Sequence, residues 1–286
     1  MKYVSLMKIR QYVSIVSTIL LLTLLSQVGG LVFLICLPLF NWINKQLVNK
    51  YYRTIGKTLS FSILYGFISF LIVPPIAQHF GRVPMPYQSA SVFVKPHNFM
   101  TVILNRHYVT PLLRQITEGV AEKVAVKYKD SVALRYLDCC FPFWNGFPLV
   151  PHLTHNDGKK IDIAFYYTKT IDNQPVSDSP SWLGYGVSEE PRAGEENQPE
   201  FCREKGEWQY SFMRRYLTPQ YFKKNFKFDA DKTTDMVRLF TSDNRVRFAL
   251  IEPHLKNRLG FQKNNKVRIP PCIAVRHDDH IHIVSD

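Results

Sequence analysis

No acidic residue precedes Glu118 in this chain of 286 residues. Eleven of its 36 basic residues lie ahead of that point, which leaves 25 basic against 23 acidic residues over the rest. The net charge of +13 therefore belongs to the N-terminal part. A nucleic-acid binder would carry a basic patch on its folded domain. Here the basic residues flank apolar runs, which argues against nucleic acid as a partner and for a lipid bilayer.

Residues 11–44 lack charge of either sign. As helix they would measure ~51 Å at 1.5 Å per residue, too long for one upright crossing of a ~30 Å hydrocarbon core. Gly29-Gly30 breaks the run, so the pattern predicts a span at about 12–28 and a shorter apolar segment at about 31–43. A further span is expected at about 58–77, ending at Pro74-Pro75. A cleaved signal peptide fits less well, because Gly29 lacks an A-x-A-like site before it and another long apolar segment follows. Lys2, Lys8 and Arg10, and then Lys45, Lys50, Arg53 and Lys57, prefer the cytoplasm. Both clusters are satisfied if residues 11–44 cross twice or re-enter. The span at 58–77 then exports everything after it. The chain divides accordingly into a transmembrane region (1–81), a connector (82–109) and a soluble domain (110–286).

Cysteine is scarce, at five residues. Cys36 falls in an apolar segment, while Cys139, Cys140, Cys202 and Cys272 fall in the soluble part. Adjacent cysteines rarely pair with each other. Cys202 with Cys272 is thus one candidate disulfide in an oxidising compartment, and four buried thiols are the other reading.

In the soluble part, Thr110-Pro111 reads as N-cap and first helical position of a helix running to Lys129. Alternation predicts strands at Val132–Leu137, Ile161–Thr168, Val246–Ile251, Ile273–Val275 and Ile281–Val284. Thr233–Phe240 and Leu255–Leu259 read as helices, the second closed by Gly260. The expected fold is α+β, with an antiparallel sheet of about four strands and flanking helices. Residues 169–209 lack periodicity and form a lid or a disordered insertion, in which Trp182 and Tyr185 line a groove or pin the loop.

Three of the nine histidines crowd the C-terminus, as His277, His280 and His282. In His280-Ile281-His282-Ile283 the two imidazoles share one strand face and the isoleucines take the other, buried one. A second cluster, His152-Leu153-Thr154-His155, leads through Gly158 into the Ile161 strand and its polar-face Asp162. A turn at Gly158 can fold His155 back over the strand start. His155, Asp162 and one C-terminal histidine would then make a three-ligand site with an open position, the form of a catalytic zinc centre.

The pattern His155-x2-Gly158-x3-Asp162 with a late His280-x-His282 resembles the LAS metallopeptidases. That superfamily comprises lysostaphin-type enzymes, D-Ala-D-Ala metallopeptidases and the hedgehog domain. His152 three before His155, and His277 three before His280, look like penicillin-insensitive murein endopeptidase. The resemblance implies Zn2+ held by His155, Asp162 and His282. It places His280 beside the metal, on water or substrate, with His277 the other candidate general base. It implies a D,D-endopeptidase acting on peptidoglycan peptides. A D,D-carboxypeptidase or dipeptidase, and a non-catalytic, zinc-stabilised wall-binding module, are the alternatives. The chain departs from many D-Ala-D-Ala peptidases at Leu153 and Lys160, where Ser and Ala are usual.

Amide hydrolysis also needs a cation near the developing oxyanion, for which Arg276, Arg135 and Lys159 are candidates. Asp278 and Asp279 either orient imidazoles or form a solvated acidic turn. Tyr166, Glu252 and His254 read as packing residues or as neighbours of the site. His79, His97 and His107 read as unrelated to it.

Overall fold

The computed structural model describes residues 2–87, 93–129 and 132–286, without the side chains of residues 2–8. Three long helices open the chain: α1 (Lys2–Ser26), α2 (Gly29–Gln46) and α3 (Lys50–Phe67). A π-helical turn at Ile68–Ile72 joins α3 to α4 (Val73–His79), so one continuous helix runs from Lys50 to His79. Two stretches, Ile9–Ser26 and Lys50–His79, are long and apolar enough to cross a membrane.

Pro74-Pro75 does not end the helix as expected. A proline needs relief from the carbonyl one turn earlier. The wider π turn directly before it supplies that relief, and the helix continues.

The part after these helices, with the expected connector contributing a strand, is built on a six-stranded mixed sheet rather than an antiparallel sheet of four. In chain order the strands are β1 (Val94–Pro96), β2 (Leu134–Tyr136), β3 (Lys160–Ala164), β4 (Val246–Leu250), β5 (Val267–Arg268) and β6 (His280–Ser285). Their spatial order is β5-β4-β6-β3-β2-β1. The inner pairs are antiparallel, while β5 on β4 and β1 on β2 are parallel. The two additional strands are edge pieces of two and three residues, too short to show a period.

Two expected strands differ. Ile161–Thr168 divides at Phe165, and Tyr167–Lys169 joins a separate three-stranded sheet with Pro175–Val176 and Phe226–Phe228. Ile273–Val275 is a turn, with Ala274 N–H donating to Pro271 O (2.9 Å). Pro270-Pro271 before it supplies no ladder donor, and Cys272 is tied to Cys202 by a disulfide.

The remaining helices are α5 (Phe99–Ile103), α6 (Pro111–Lys127), α7 (Gln198–Glu204), α8 (Ala230–Ser242) and α9 (Pro253–Arg258). Thr110 caps α6 as expected, its hydroxyl accepting from Leu113 N–H, with Pro111 at the first helical position. Leu113, Ile116, Val120 and Val124 of α6 join Met236, Val237 and Phe240 of α8 in one core with the sheet. Ile161, Ile163, Ile281 and Ile283 are the sheet's contribution. Each such burial contributes on the order of 2 kcal/mol.

The alternation in β3 and β6 thus fixes one face to the helices. It sends Asp162, His280 and His282 to the other face, which is also buried. The segment 177–197 covers that face. Its Ser181, Val187, Ser188 and Glu189 are buried, although no periodicity marks them.

Candidate metal centre

Gly158 sets the approach to β3. Its φ is +76°, and a Cβ there would meet Arg82 Nε at 3.1 Å, so the position favours glycine twice over. The turn carries His155 back over the start of β3, as the sequence suggests. Arg82 is itself buried and donates to the carbonyl oxygens of Phe141 and Phe143, bracing the loop that leads to the histidines.

Across the sheet, His282 lies directly opposite Asp162. His282 Nδ1 is 2.8 Å from Asp162 Oδ1 and 3.0 Å from His155 Nε2, and His155 Nε2 is 3.3 Å from Asp162 Oδ1. All three residues are buried. A tetrahedral ion bound at ~2.0–2.1 Å separates its ligand atoms by about 3.3 Å, so this triangle needs little change to take one. The His155 tautomer also fits, because Nδ1–H donates to Cys139 O (2.8 Å) and leaves the Nε2 lone pair facing the triangle.

Among the described residues, His152 also belongs to a potential ligand set, since its donor atom lies within 4.8 Å of those of His155 and Asp162. His152 Nδ1 is 3.2 Å from Asp162 Oδ2 and 3.2 Å from Asp138 Oδ2, but is aligned for a hydrogen bond to neither. The His155, Asp162 and His282 donors are closer to one another. They are the better core of the set, with His152 as a fourth nitrogen beside it.

Electrostatics agree with a cation site. Burial alone would raise the Asp162 carboxyl, but His155, His280 and His282 outweigh it and hold Asp162 well below the usual carboxylate range. Burial lowers His282 to about 4, against the pull of Asp162. His282 is thus neutral and able to donate a lone pair. His280 moves the other way, to about 9, because Asp162 and Asp279 together outweigh its burial. Asp279 bonds His280 Nδ1; His280 Nε2 has no hydrogen-bond partner among the described residues and lies 3.7 Å from Asp162 Oδ2. Burial, then repulsion from His280 and His282, pushes His277 well below its ordinary value.

A cleft, open at its mouth, reaches His152 and His280 beside this group, while His155, Asp162 and His282 lie behind its lining. His152, Asp138, Tyr185, Asp279 and His280 line its inner end, and Met100, Leu104, Leu183, Met213 and Val275 give it an apolar wall. His280 lines the cleft and His277 does not. The ring of His277 packs behind, 4.8 Å from that of His280, and the His277 backbone N–H donates to Glu252 Oε1 (3.0 Å).

Of the three candidate oxyanion cations, only Arg276 lines the cleft, and Asp278 and Glu190 hold its guanidinium. Arg135 pairs with Asp178 (3.1 Å), and Lys159 is exposed just before the start of β3. Asp278 and Asp279 are both buried rather than solvated. Tyr166 packs in the core, its N–H bonded to Thr233, and Glu252 and His254 lie behind the site. His97 bonds Ser181 O and His107 is buried beside Tyr108; neither joins the group.

Tyr185, which the sequence offers as a groove-lining or loop-pinning aromatic, does line the cleft, while Asp138 and Arg106 carry no clear mark in the sequence. Tyr185 Oη donates to Asp162 Oδ2 (2.9 Å) and accepts from Asp138 N–H (3.0 Å). Asp138 pairs with Arg106 (2.9 Å), and Arg106 also lines the cleft. The only signal for Asp138 is an acid beside Cys139-Cys140, and for Arg106 a basic residue just after the short apolar run Val102-Ile103-Leu104. No protein-family model matches this chain, and no curated protein is significantly similar to it.

Proposed function

We propose that the chain is a membrane-anchored metallohydrolase that cleaves amide bonds. The observation carrying this reading is the triangle of His155 Nε2, Asp162 Oδ1 and His282 Nδ1 beside the cleft-lining His280. Two imidazoles and one carboxylate form a donor set suited to Zn2+. Bound there, zinc would supply Lewis acidity toward a carbonyl and toward water, whose pKa such ions lower to ~7.

The chain's own residues do the rest. Cys139 O fixes the His155 tautomer, and Tyr185 holds the Asp162 carboxylate through Oδ2. His280 reaches the cleft with Nδ1 held by Asp279 and with Nε2 lacking a hydrogen-bond partner among the described residues. It is placed to hydrogen-bond the substrate oxygen and to deliver a proton to the leaving amine. The cover formed by residues 177–197 keeps bulk water from the buried face.

The substrate class rests on the motif spacing shared with LAS peptidases. We assign peptides containing D-amino acids, as in peptidoglycan, with D,D-endopeptidase cleavage as the leading reaction. A D,D-carboxypeptidase gains some support from Arg106, Arg214 and Arg276 along the cleft, which suit a terminal carboxylate. With basic residues at the cytoplasmic ends of the helices, the hydrolytic part faces the periplasm. Metal content of the purified full chain, together with its digestion products from crosslinked muropeptides, tests the proposal. Zinc near one equivalent and new amines at D,D-crosslinks are expected. A zinc-loaded protein that releases no amine would refute it.

A further inference from the structure

The cleft and the long helix of α3 and α4 share one thin partition, the five-residue α5. On one side, Asn98, Met100, Thr101 and Leu104 line the cleft. On the other, Tyr65 Oη donates to Ile103 O (2.6 Å), Asn105 Nδ2 donates to Ser69 Oγ (3.2 Å), and the Phe99 ring stacks on that of Phe70 at 6.5 Å.

Depth along the helix follows from its rise. Lys57 is the last basic residue on it. Ser69 stands twelve residues further, ~18 Å along the axis. If Lys57 marks one edge of a ~30 Å core, the opposite edge falls near Ala77. A second marker agrees with that edge. Phe80, Phe143 and Trp144 cluster just beyond Ala77, with ring centroids 5.2–6.3 Å apart, and Trp144 is 58% exposed. Exposed aromatics of this kind sit at the headgroup level.

By this geometry α5 lies within the outer leaflet. Its outward side chains suit that depth, since Phe99 is 50% and Met100 46% exposed. Met100 belongs both to this exposed surface and to the cleft wall.

We propose that the cleft is fed from the bilayer, and that its substrate is a peptide amide carried on a lipid anchor. The anchor stays in the outer leaflet beside α5, and the peptide passes Met100 and Leu104 to reach His280. This inference rests on the hydrolase reading for the chemistry, but its spatial part stands on the helix contacts and the two depth markers. A substrate confined to the leaflet arrives at high effective concentration, so affinity need not come from long peptide contacts.

The test uses the full chain, zinc-loaded, in nanodiscs of phosphatidylethanolamine and phosphatidylglycerol. Two peptides of one D-Ala-containing sequence are compared, one N-palmitoylated and one N-acetylated. The palmitoylated peptide should be cleaved with kcat/KM at least about tenfold higher. Phe99→Asp, outside the cleft lining, should remove that advantage and leave the acetylated peptide's rate unchanged. Equal rates for the two peptides overturn the proposal.

A second readout needs no turnover. A nitrobenzoxadiazole dye on Met100→Cys should be quenched at least twofold by doxyl-labelled lipid, and an unquenched dye overturns the leaflet placement. If the dye is quenched but neither peptide is cut, the hydrolase reading falls and the lipid-anchored substrate with it.

Discussion

His282 and Asp162 occupy directly opposed positions on neighbouring antiparallel strands, with Nδ1 of one 2.8 Å from Oδ1 of the other. Cross-strand neighbours on a pleated sheet cannot drift apart without breaking the ladder. Two donors of the site are therefore set by backbone pairing, and only His155 depends on a loop. That loop is fixed in turn by Gly158 and by Cys139 O.

His282→Ala should accordingly abolish metal retention while leaving Ile281 and Ile283 in the core. Loss of a mere supporting partner weakens metal binding about 10–100-fold, so removal of a ligand should exceed about 100-fold. Metal analysis after dialysis against a weak chelator reads this directly. One full equivalent of zinc retained by the variant would remove His282 from the ligand set.

Tyr185→Phe probes the covering segment. The hydroxyl bridges Asp138 N–H and Asp162 Oδ2, and its ring packs against His152 (4.6 Å) and His280 (4.9 Å). Phenylalanine keeps the packing and deletes the hydrogen bonds. We expect metal affinity to fall about 10–100-fold with the thermal midpoint little changed. Affinity equal to the parent in a chelator competition would make Tyr185 a packing residue only.

The strand face of the site is legible in the residues themselves. In His280-Ile281-His282-Ile283 the alternation fixes which side chains share a side, and Gly158 signals the turn that returns His155. Tyr185 is legible as an aromatic that lines a groove or pins the loop, but its bond to Asp162 is not, and Arg106 and Asp138 are not legible at all. Their roles depend on contacts across 23, 32 and 24 residues, to Asp162, Asp138 and Asp162, and no local period encodes those contacts. The edge strands Val94–Pro96 and Val267–Arg268 escape for a related reason. Pieces so short exist only because a neighbour offers them a ladder. The burial of both β6 faces is hidden because its cover is an aperiodic loop.

The disulfide between Cys202 and Cys272 ties α7 to the turn before the C-terminal histidines across 70 residues. Closing a loop of that length stabilises the fold by about 4 kcal/mol in the chain-entropy account. Cys202→Ser should lower the thermal midpoint by several degrees. Reduction of the parent protein should produce the same shift and none in the variant. Identical midpoints before and after reduction would show that the tether contributes nothing to stability.

Glu252 gives a prediction for pH. It is fully buried. Its Oε1 accepts from Tyr210 Oη and from His277 N–H, while Oε2 has no hydrogen-bond partner among the described residues. Burial, and then the neighbouring Asp278, push its carboxyl up from 4.5 to about 8. The native state therefore binds this proton more tightly than the unfolded chain does. Between those two values folding takes up a proton, so stability falls as pH rises through the window. The contribution is fully present below about 4.5 and lost by about 8, at up to about 1.4 kcal/mol per pH unit. Glu252→Gln keeps the shape and cannot ionise. From about pH 5 to about pH 8 the midpoint of the parent should drop steadily relative to that of the variant, with the gap widening toward the alkaline end. Thermal unfolding of both proteins in one detergent across that range makes the comparison. Curves that run parallel throughout would mean that Glu252 does not take up a proton on folding.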